Sequence, residues 1–240
     1  MITLLKFGPN FGLPDPSPFV VKLETYLRLM DIDYIPKPGD VRKAPKKKIP
    51  VLLDGEQPIA DSQFAIDYLK ERHGDRLNEG LSEQDLARHH VLRLALENHT
   101  YFLLLAYRWL REENAPIMRE TFFAQMGFMG GFVFKMVQKD IRRTVYGHGL
   151  LRHSWDELAD LVGKDIAALE AVLGGDDFFG GAQPREIDCV AFGFICNMMV
   201  PEMDTPFRRL ARASRPLVDY HNRMTERVFA DYKEDMLLKG

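Results

Sequence analysis

The chain has 240 residues, of which 46% are hydrophobic and 28% charged, a composition typical of a soluble globular protein with one large domain or two small ones. A formal net charge of −3 gives no overall attraction to nucleic acid or to anionic membranes, so we expect no nucleic-acid partner. We expect no secretion signal, because no basic segment precedes a long apolar one, and no membrane span, because the most apolar tract, residues 122–137, falls short of the roughly 20 residues required.

The first third of the sequence alternates strand and helix signals. Residues 2–7, ITLLKF, form a short apolar run that ends at Gly8-Pro9, a pattern typical of a buried strand. Apolar residues then recur at helical spacing from Pro18 to Met30. The segment DYIPKP predicts a second strand, and Pro36 favours the sheet edge for it.

A hairpin and a helix complete this layer. The runs PVLLD and QPIA are joined through Asp54-Gly55, which is a strong hairpin signal. Asp61-Ser62 then precedes a helical pattern that ends at Gly74. The order strand, helix, strand, connecting segment, hairpin and helix predicts a small α/β layer.

The remainder of the chain shows almost no strand alternation. The polar segment 74–82 predicts a boundary, so we expect an α/β domain over residues 1–76 and an all-helical domain over residues 82–240. Capping pairs indicate helix starts at Ser82 and at Ser154, the second helix running to about Leu173. Within the helical region 122–143, the pair Gly130-Gly131 predicts a break or a point of close packing.

The cysteines and histidines predict neither a disulfide nor a metal site. Cys189 and Cys196 are seven residues apart on one face of a predicted helix, where a disulfide between them is geometrically implausible. Two buried thiols fit a reducing compartment, so we expect a cytoplasmic protein. His148 and His153, which flank Arg152, could form a metal or anion site, but two histidines define no metal geometry and a structural loop is the preferred interpretation.

Pro50 precedes a predicted buried strand in KKKIPVLLDG. Because proline cannot donate a ladder hydrogen bond, it belongs at the start of that strand. A cis bond would let the backbone of Val51 face an open site and pair with a peptide ligand as an added strand does. A trans proline that merely begins a strand is the alternative.

Asp61 and Ser62 stand at a predicted helix N-terminus, where free N–H groups and the helix dipole favour an anion. A hydroxyl with backbone N–H groups suits a carboxylate, and an adjacent Asp suits an ammonium group, so the pair could hold an amino-acid headgroup. A helix cap with a dipole-compensating acid is equally compatible with these residues.

Ser17 lies in the stretch PDPSPFVVKLE. Ser followed by Pro is a common combination at the start of a helix, which favours a capping role. The same position would let the hydroxyl donate to a bound thiolate, and each unit by which the thiol pKa falls corresponds to about 1.4 kcal/mol. The residues alone leave both roles open.

Taken in order, these motifs resemble the glutathione S-transferase superfamily. Ser-Pro-Phe leads the first helix, KIPVL begins the hairpin, IADS precedes the next helix, and a helical domain follows. The segments SPFVVKLETYLR, GHGLLRHSWDEL and REIDCVAFGF are similar to the failed-axon-connections and metaxin-like branch. The resemblance covers nearly the full length and implies a thioredoxin-like α/β N-terminal domain followed by an all-α C-terminal domain.

The resemblance also implies a glutathione site. Ser17 falls where related transferases contact the glutathione sulfur. Pro50 matches the family's cis-proline, and Val51 matches the residue whose backbone pairs with the cysteinyl unit. The pair Asp61-Ser62 matches the residues that hold the γ-glutamyl group, and Lys48 is a looser match for the residue at the glycyl carboxylate. Glutathione is then a co-substrate, the partner is a small apolar electrophile, no metal is needed, and a homodimer is expected.

Two departures from the family pattern bear on function and stability. Ser17 in place of Cys argues against mixed-disulfide chemistry. Asp188 matches the structural acid of a late-helix motif, but Arg185 replaces the usual Ser or Thr, so Asp188 is assigned to stability. Because the branch includes members without established catalysis, two alternatives to a transferase stay open. One is a non-catalytic metaxin-like adaptor with a vestigial groove, and the other is a glutathione-dependent isomerase or dehalogenase.

Overall fold

The computed structural model describes residues 1–238, which begin with a four-stranded sheet. Its strands, in the spatial order β2-β1-β3-β4, are β1 (Ile2–Lys6), β2 (Tyr34–Pro38), β3 (Val51–Asp54) and β4 (Gln57–Ala60). β2 pairs with β1 in parallel, while β3 lies antiparallel to both β1 and β4. The predicted edge position of the Pro36 strand and the predicted hairpin are both confirmed.

The two faces of the sheet are covered differently because strand side chains alternate. Leu4 and Leu52 face the first two helices, α1 (Pro18–Leu29) and α2 (Ser62–His73). On the other side, Val51 packs with Ile49 and with Val20, the latter from the start of α1. The α/β layer therefore has apolar packing on both faces, as a small buried sheet requires.

Helices make up the rest of the described chain. In order they are α3 (Glu83–Ala95), α4 (Tyr101–Leu110), α5 (Ala115–Phe123), α6 (Phe128–His148), α7 (Trp155–Leu173), α8 (Glu186–Met199), α9 (Pro206–Ala213), α10 (Arg215–Val228) and α11 (Lys233–Met236). A π-helical turn, Leu96–Thr100, joins α3 to α4, a feature that the periodicity did not predict. This arrangement confirms the predicted fold class, an α/β layer followed by an all-helical region.

Local capping signals located several helix starts correctly, and of the two roles left open for Gly130-Gly131 the structure shows close packing. Both Ser82 and Ser154 head full capping boxes, and α7 ends at Leu173 as predicted. The break before α6 falls at Gly127, whereas Gly130 lies inside the helix. A Cβ on Gly130 would stand 2.4 Å from the Phe123 carbonyl oxygen, so this glycine is a point of close packing between α5 and α6.

Helix α8 lies at the centre of the molecule and connects the two layers. Cys189 joins the apolar cluster beneath the sheet, while Cys196 belongs to the cluster of the helical region, and both thiols are buried. Asp188 accepts backbone N–H bonds from Phe179, Gly180 and Arg185 at 2.7 to 3.0 Å, which supports its assignment to stability. Burial nevertheless raises the pKa of Asp188 to about 6.

Helix α8 approaches the backbone of α1 closely at Gly193. A Cβ at this position would lie 2.5 Å from the carbonyl oxygen of Pro18 and 3.0 Å from the N atom of Lys22. Both of these atoms belong to the backbone of α1, so neither can rotate away as a side chain could. The absence of a side chain at Gly193 therefore allows α8 to contact the first turn of α1.

Across residues 1–238, no helix combines the length and the apolar character needed to cross a bilayer. The same range contains no group of three or more His, Cys, Asp or Glu side chains arranged to hold a metal ion. His148 instead stacks on Phe102 with ring centroids 4.3 Å apart, and its Nε2 atom lies 2.8 Å from the Asn98 carbonyl oxygen. These contacts favour the structural interpretation of this histidine, which ends α6 rather than lying in a loop.

The contact at Gly193 yields a stability prediction. Gly193→Ala should lower the free energy of unfolding by about 2–3 kcal/mol, because the added methyl group overlaps the α1 backbone. The matched control is Gly163→Ala in the middle of α7, where a Cβ would meet only the Leu210 Cδ1 atom at 3.9 Å. That control should gain about 0.5–1 kcal/mol from the higher helix propensity of Ala. Urea unfolding followed by circular dichroism measures both, and equal effects of the two substitutions would contradict the packing argument.

Candidate functional site

The predicted site residues on the hairpin converge at one end of the sheet. Val51 begins β3 and pairs with Leu5 near the end of β1 and with Ala60 at the end of β4. Pro50 precedes Val51 and Asp61 follows Ala60, so the two lie beside each other where β1 ends. We refer to Ser17, Pro50, Val51, Asp61 and Ser62 together as the strand-end site.

The backbone at Pro50 adopts one of the two geometries that the sequence left open, the one that the resemblance implied. The Ile49–Pro50 peptide bond is cis. Val51 lies in the ladder between two neighbouring strands, whereas the N–H and C=O groups of Ile49 make no hydrogen bond within residues 1–238. Ile49 therefore offers an unpaired N–H and an unpaired C=O to a peptide ligand, next to the Val51 backbone that the sequence assigned to that role. The sequence argument overlooked Ile49 because its apolar side chain, which is buried, predicts only packing.

The N-terminus of α2 supplies polar groups at this end of the sheet. Asp61 holds the N-cap position with φ = 93° and ψ = 134°, and its carboxylate accepts the Gln63 N–H at 2.9 Å. A positive φ at a non-glycine residue is strained, and such strain is concentrated at binding sites. Ser62 follows as the first residue of the helix, and its hydroxyl makes no hydrogen bond within the described residues. Free donors at a helix N-terminus favour an anionic ligand.

Lys48 lies close to this end in sequence but outside the packed site. Its side chain is exposed and forms no ion pair within residues 1–238. It stands two residues before Pro50, within reach of a ligand that extends past the strand end. Its role therefore remains a prediction.

Asp15 anchors the loop that carries Ser17. One carboxylate oxygen accepts the N–H groups of Phe7 and Gly8, and the other accepts the N–H of Ser17, all at 2.9 Å. Asp15 is completely buried, and burial raises its pKa to about 7 although the backbone donors act in the opposite direction. The start of α1 is thereby held against the end of β1. The sequence contained a signal for this residue, because Asp often binds a backbone N–H two residues further on.

Ser17 occupies the N-cap position of α1 without using its side chain as a cap. Its carbonyl oxygen accepts the N–H groups of Val20 and Val21, while its hydroxyl forms no capping hydrogen bond. The residue is half-buried, so its hydroxyl is reachable from the strand end. Of the two roles that the sequence left open, side-chain capping is not observed, and the hydroxyl is free to donate to a ligand.

Arg108 supports the same loop from the helical region. Its guanidinium donates to the Pro16 carbonyl oxygen at 2.9 Å and to the Asn197 side-chain oxygen at 3.0 Å. The side chain is buried, and within the described residues it has no carboxylate partner. Burial lowers the pKa of Arg108 to about 10, so it is still a cation at neutral pH. No local pattern in the sequence predicts the contact of Arg108 with Pro16.

A buried cation also ties the two helix starts together. The Lys22 ammonium of α1 donates to the Gln63 side chain of α2 at 2.8 Å and to Glu97 of the π-helical turn at 2.6 Å. Gln63 in turn donates to Glu186 at the start of α8 at 3.0 Å. These bonds fix α2 relative to α1 and to the helical region, and so position Ser62 relative to Ser17.

A cleft opens beside the loop, with a mixed polar and apolar lining that includes no charged side chain from residues 1–238. It has a volume of about 300 Å³, at the lower end of the range for small-molecule sites, and lies between the Phe7–Asn10 and Pro16 backbone and the segment 121–126. Phe122 packs edge-on against Phe7 and Phe11, with ring centroids 6.2 and 6.3 Å apart. Because Pro16 directly precedes Ser17, a molecule in this cleft lies next to the strand-end site.

A larger cavity, about 830 Å³, lies between α1, β2 and residues 228–232. None of the strand-end residues lines this cavity or the smaller cleft, but Pro16, the neighbour of Ser17, lines only the smaller one. Two ion pairs lie in the lining of the larger cavity, since Lys6 binds Glu24 and Arg28 binds Asp231 at 2.6 Å. Because of Pro16, we associate the smaller cleft with the candidate site.

Two family models match the chain. The first is described as the glutathione S-transferase N-terminal domain and matches residues 18–114. The second, the glutathione S-transferase C-terminal domain, matches residues 162–224. Together they cover most of the chain, and the first contains the strand-end residues except Ser17, which directly precedes it.

Curated relatives fall into two groups. The isoprene-epoxide–glutathione S-transferase of Rhodococcus sp. (strain AD45) is 26% identical, with 93% of this chain and 98% of that protein aligned. Failed axon connections of Drosophila melanogaster is 27% identical, covering 98% of this chain and 59% of that protein. Metaxin-2 of Homo sapiens is 22% identical, covering 67% of this chain and 61% of that protein. The chain thus spans nearly all of the bacterial relative and about three fifths of the two animal ones.

Solved structures show the same fold at low sequence identity. Beta-etherase LigF from Sphingobium sp. strain SYK-6 superposes with a TM-score of 0.67 at 16% identity, covering 98% of each chain. Glutathione transferase F7 from Populus trichocarpa gives a TM-score of 0.62 at 15% identity, covering 99% of this chain and 100% of that one.

The support of Pro16 by Arg108 can be tested through stability. Arg108→Lys should lower the free energy of unfolding by about 1–3 kcal/mol, because one ammonium cannot reach both Pro16 and Asn197 and leaves a buried acceptor unpaired. Arg223→Lys is the matched control, since Arg223 donates to the Asp177 carbonyl oxygen at the surface. The control should stay within about 0.5 kcal/mol of wild type. Urea titration at neutral pH measures both variants, and wild-type stability of Arg108→Lys would refute the bridging role.

Proposed function

Because the chain belongs to the glutathione S-transferase superfamily, in its failed-axon-connections and metaxin-like branch, we propose that it binds glutathione at the strand-end site and transfers it to an apolar electrophile. The single observation that carries this proposal is the convergence of two helix N-termini at one sheet end. Each presents a serine hydroxyl without a hydrogen-bond partner within the described residues.

Each part of the tripeptide has a matching group. The Ser62 hydroxyl and the free N–H groups of α2 would donate hydrogen bonds to the γ-glutamyl carboxylate, and the Asp61 carboxylate would pair with the γ-glutamyl ammonium group. The backbone beside Pro50, which we assign to Val51 with Ile49 adjacent, would bind the cysteinyl unit as an added strand. Lys48, exposed beyond the strand end, would reach the glycyl carboxylate.

Ser17 would act on the sulfur. Its hydroxyl would donate a hydrogen bond to the thiolate, and the N-terminus of α1 adds a favourable dipole. Arg108 is a buried cation that binds the carbonyl oxygen of Pro16, the residue before Ser17, and it adds positive electrostatic potential near the sulfur. The sulfur would then attack an electrophilic carbon held in the cleft beside Phe122, forming a C–S bond as the bond to the leaving group breaks.

The lining of the cleft indicates which electrophiles it would hold. The electrophile would be apolar where it meets Phe7 and Phe122, the two aromatic residues that line the cleft. No charged side chain lines the cleft, so recognition by charge is not part of the proposal. A cytoplasmic homodimer is the form that we propose for the active protein.

The Ser17 hydroxyl provides the test of this function. Ser17→Ala should lower kcat/KM for conjugation of glutathione to an apolar epoxide by about 10- to 100-fold, because a donor aimed at the sulfur anion is lost. The KM for glutathione should change little, since the γ-glutamyl contacts stay intact. Ser82→Ala removes a helix-start hydroxyl far along the chain and serves as the control with wild-type turnover. Equal turnover of Ser17→Ala and wild type would rule out the proposed role.

The non-catalytic adaptor remains the second candidate. The similarity to failed axon connections and metaxin-2 favours it. The two candidates share the fold and differ in whether glutathione occupies the strand-end site. A glutathione-dependent isomerase or dehalogenase would use Ser17 in the same way and differs from the transferase only in the electrophile.

A further inference from the structure

Five large apolar side chains form an exposed patch where the segment after α5 meets α6. The most exposed are Phe128, at 94%, and Phe132, at 62%. Met126, Met129 and Met136 complete the set, each about half exposed. We call these five residues the apolar patch.

The apolar patch is the outward face of a helix whose inward face is already packed. Phe128, Phe132 and Met136 follow one another at intervals of four residues, so they lie on one side of α6. Phe134 and Val145 point to the core and are buried. A single exposed apolar side chain is ordinary, but a contiguous exposed apolar surface of this kind marks an interaction site.

Basic residues continue the exposed surface of the same helix. Lys135, Lys139, Arg142 and Arg143 are all exposed. Of these four, only Arg143 forms an ion pair within the described residues, with Asp140 at 3.3 Å. Asp140 is also the one acidic residue of α6, so this surface is cationic although the whole chain carries a net charge of −3.

We propose that α6 docks on an anionic lipid surface, with the apolar patch at the boundary between headgroups and acyl chains and the basic residues among the headgroups. An amphipathic helix that carries aromatic residues on its apolar face and Lys and Arg next to that face lies in the plane of a membrane interface. Each cationic side chain near an anionic leaflet adds electrostatic attraction. The helix rests on the bilayer and does not enter it as a span.

A second copy of the chain fits this surface less well than lipid does. A symmetric contact between two α6 helices would bring two cationic surfaces close together, which opposes association. Five side chains on about two helical turns also fall well short of the 1,200–2,000 Å² or so that a stable protein interface buries. Charge complementarity therefore selects an anionic membrane.

Docking would place the cleft close to the lipid. Met126 belongs both to the apolar patch and to the lining of the cleft beside Phe122. An apolar electrophile dissolved in the bilayer could then reach the cleft without crossing water. This consequence rests on the proposed function, whereas the docking itself does not require glutathione.

Vesicle co-sedimentation of the full chain tests the docking. Wild type should sediment with vesicles of phosphatidylcholine and phosphatidylglycerol, and less with phosphatidylcholine alone. The double substitution F128S/F132S should lower the partition coefficient about tenfold or more, because two aromatic rings no longer enter the interface. The double substitution K135E/K139E should abolish the preference for phosphatidylglycerol, and added salt should weaken wild-type binding in the same way.

Phe64→Ser is the matched control, because Phe64 lies on α2, is 59% exposed and stands outside the apolar patch. It should bind as wild type does. All the substituted side chains are exposed, so melting curves should be unchanged in every variant. Absence of wild type from the pellet with both vesicle types, or an equal loss in Phe64→Ser, would overturn the proposal. A dimer of wild type that F128S/F132S converts to a monomer, without vesicle binding, would assign the surface to a second copy instead.

Discussion

The contact between α8 and the first turn of α1 is the constraint on which the candidate site depends. Gly193 lets the two backbones meet, since a methyl group there would lie 2.5 Å from the Pro18 carbonyl oxygen. Pro18 directly follows Ser17, so the position of the Ser17 hydroxyl is set by a helix from the other end of the chain. Interiors are packed too densely for such a contact to be displaced without repacking both elements.

Buried polar groups complete what that contact begins. Asp15 fastens the loop to β1, Arg108 fastens it to α4, and Lys22 fastens α1 to α2. All three side chains are buried. Each makes hydrogen bonds, Asp15 to backbone N–H groups, Arg108 to Pro16 and Asn197, and Lys22 to Gln63 and Glu97. Such groups are expensive to bury and specify one arrangement only when satisfied. In this protein they specify the arrangement of two helix N-termini around one sheet end.

The parts of the molecule that could be predicted are those with local causes. The turn through Gly55, the capping boxes of Ser82 and Ser154 and the edge position of Pro36 follow from chemistry within a few residues. Ser17 and Asp61-Ser62 were identified because helix starts carry a local signature as well. Val51, by contrast, was assigned from resemblance, and its position in register with both Leu5 and Ala60 shows why the neighbouring Ile49 has to be considered with it.

What could not be predicted depends on contacts across the chain. Nothing near Arg108 indicates that its guanidinium reaches Pro16, which is 92 residues away in sequence. Gly193 looks like any glycine in an apolar helix until α1 is placed against it. Similarly, net charge gave no reason to expect a membrane surface, because the cations on α6 are offset by acidic residues elsewhere. Segregation of charge is a property of the folded surface, not of composition.

Binding of glutathione at the strand-end site is the central claim, and a thermal-shift titration of the wild-type chain tests it directly. A ligand that binds only the folded state stabilises it by about 2.7 kcal/mol at a hundredfold excess over Kd. We predict a saturable rise of the melting temperature with glutathione, reduced in Ser62→Ala because the γ-glutamyl carboxylate loses a donor. An unchanged melting temperature at millimolar glutathione would contradict the claim and leave the adaptor as the function of this fold.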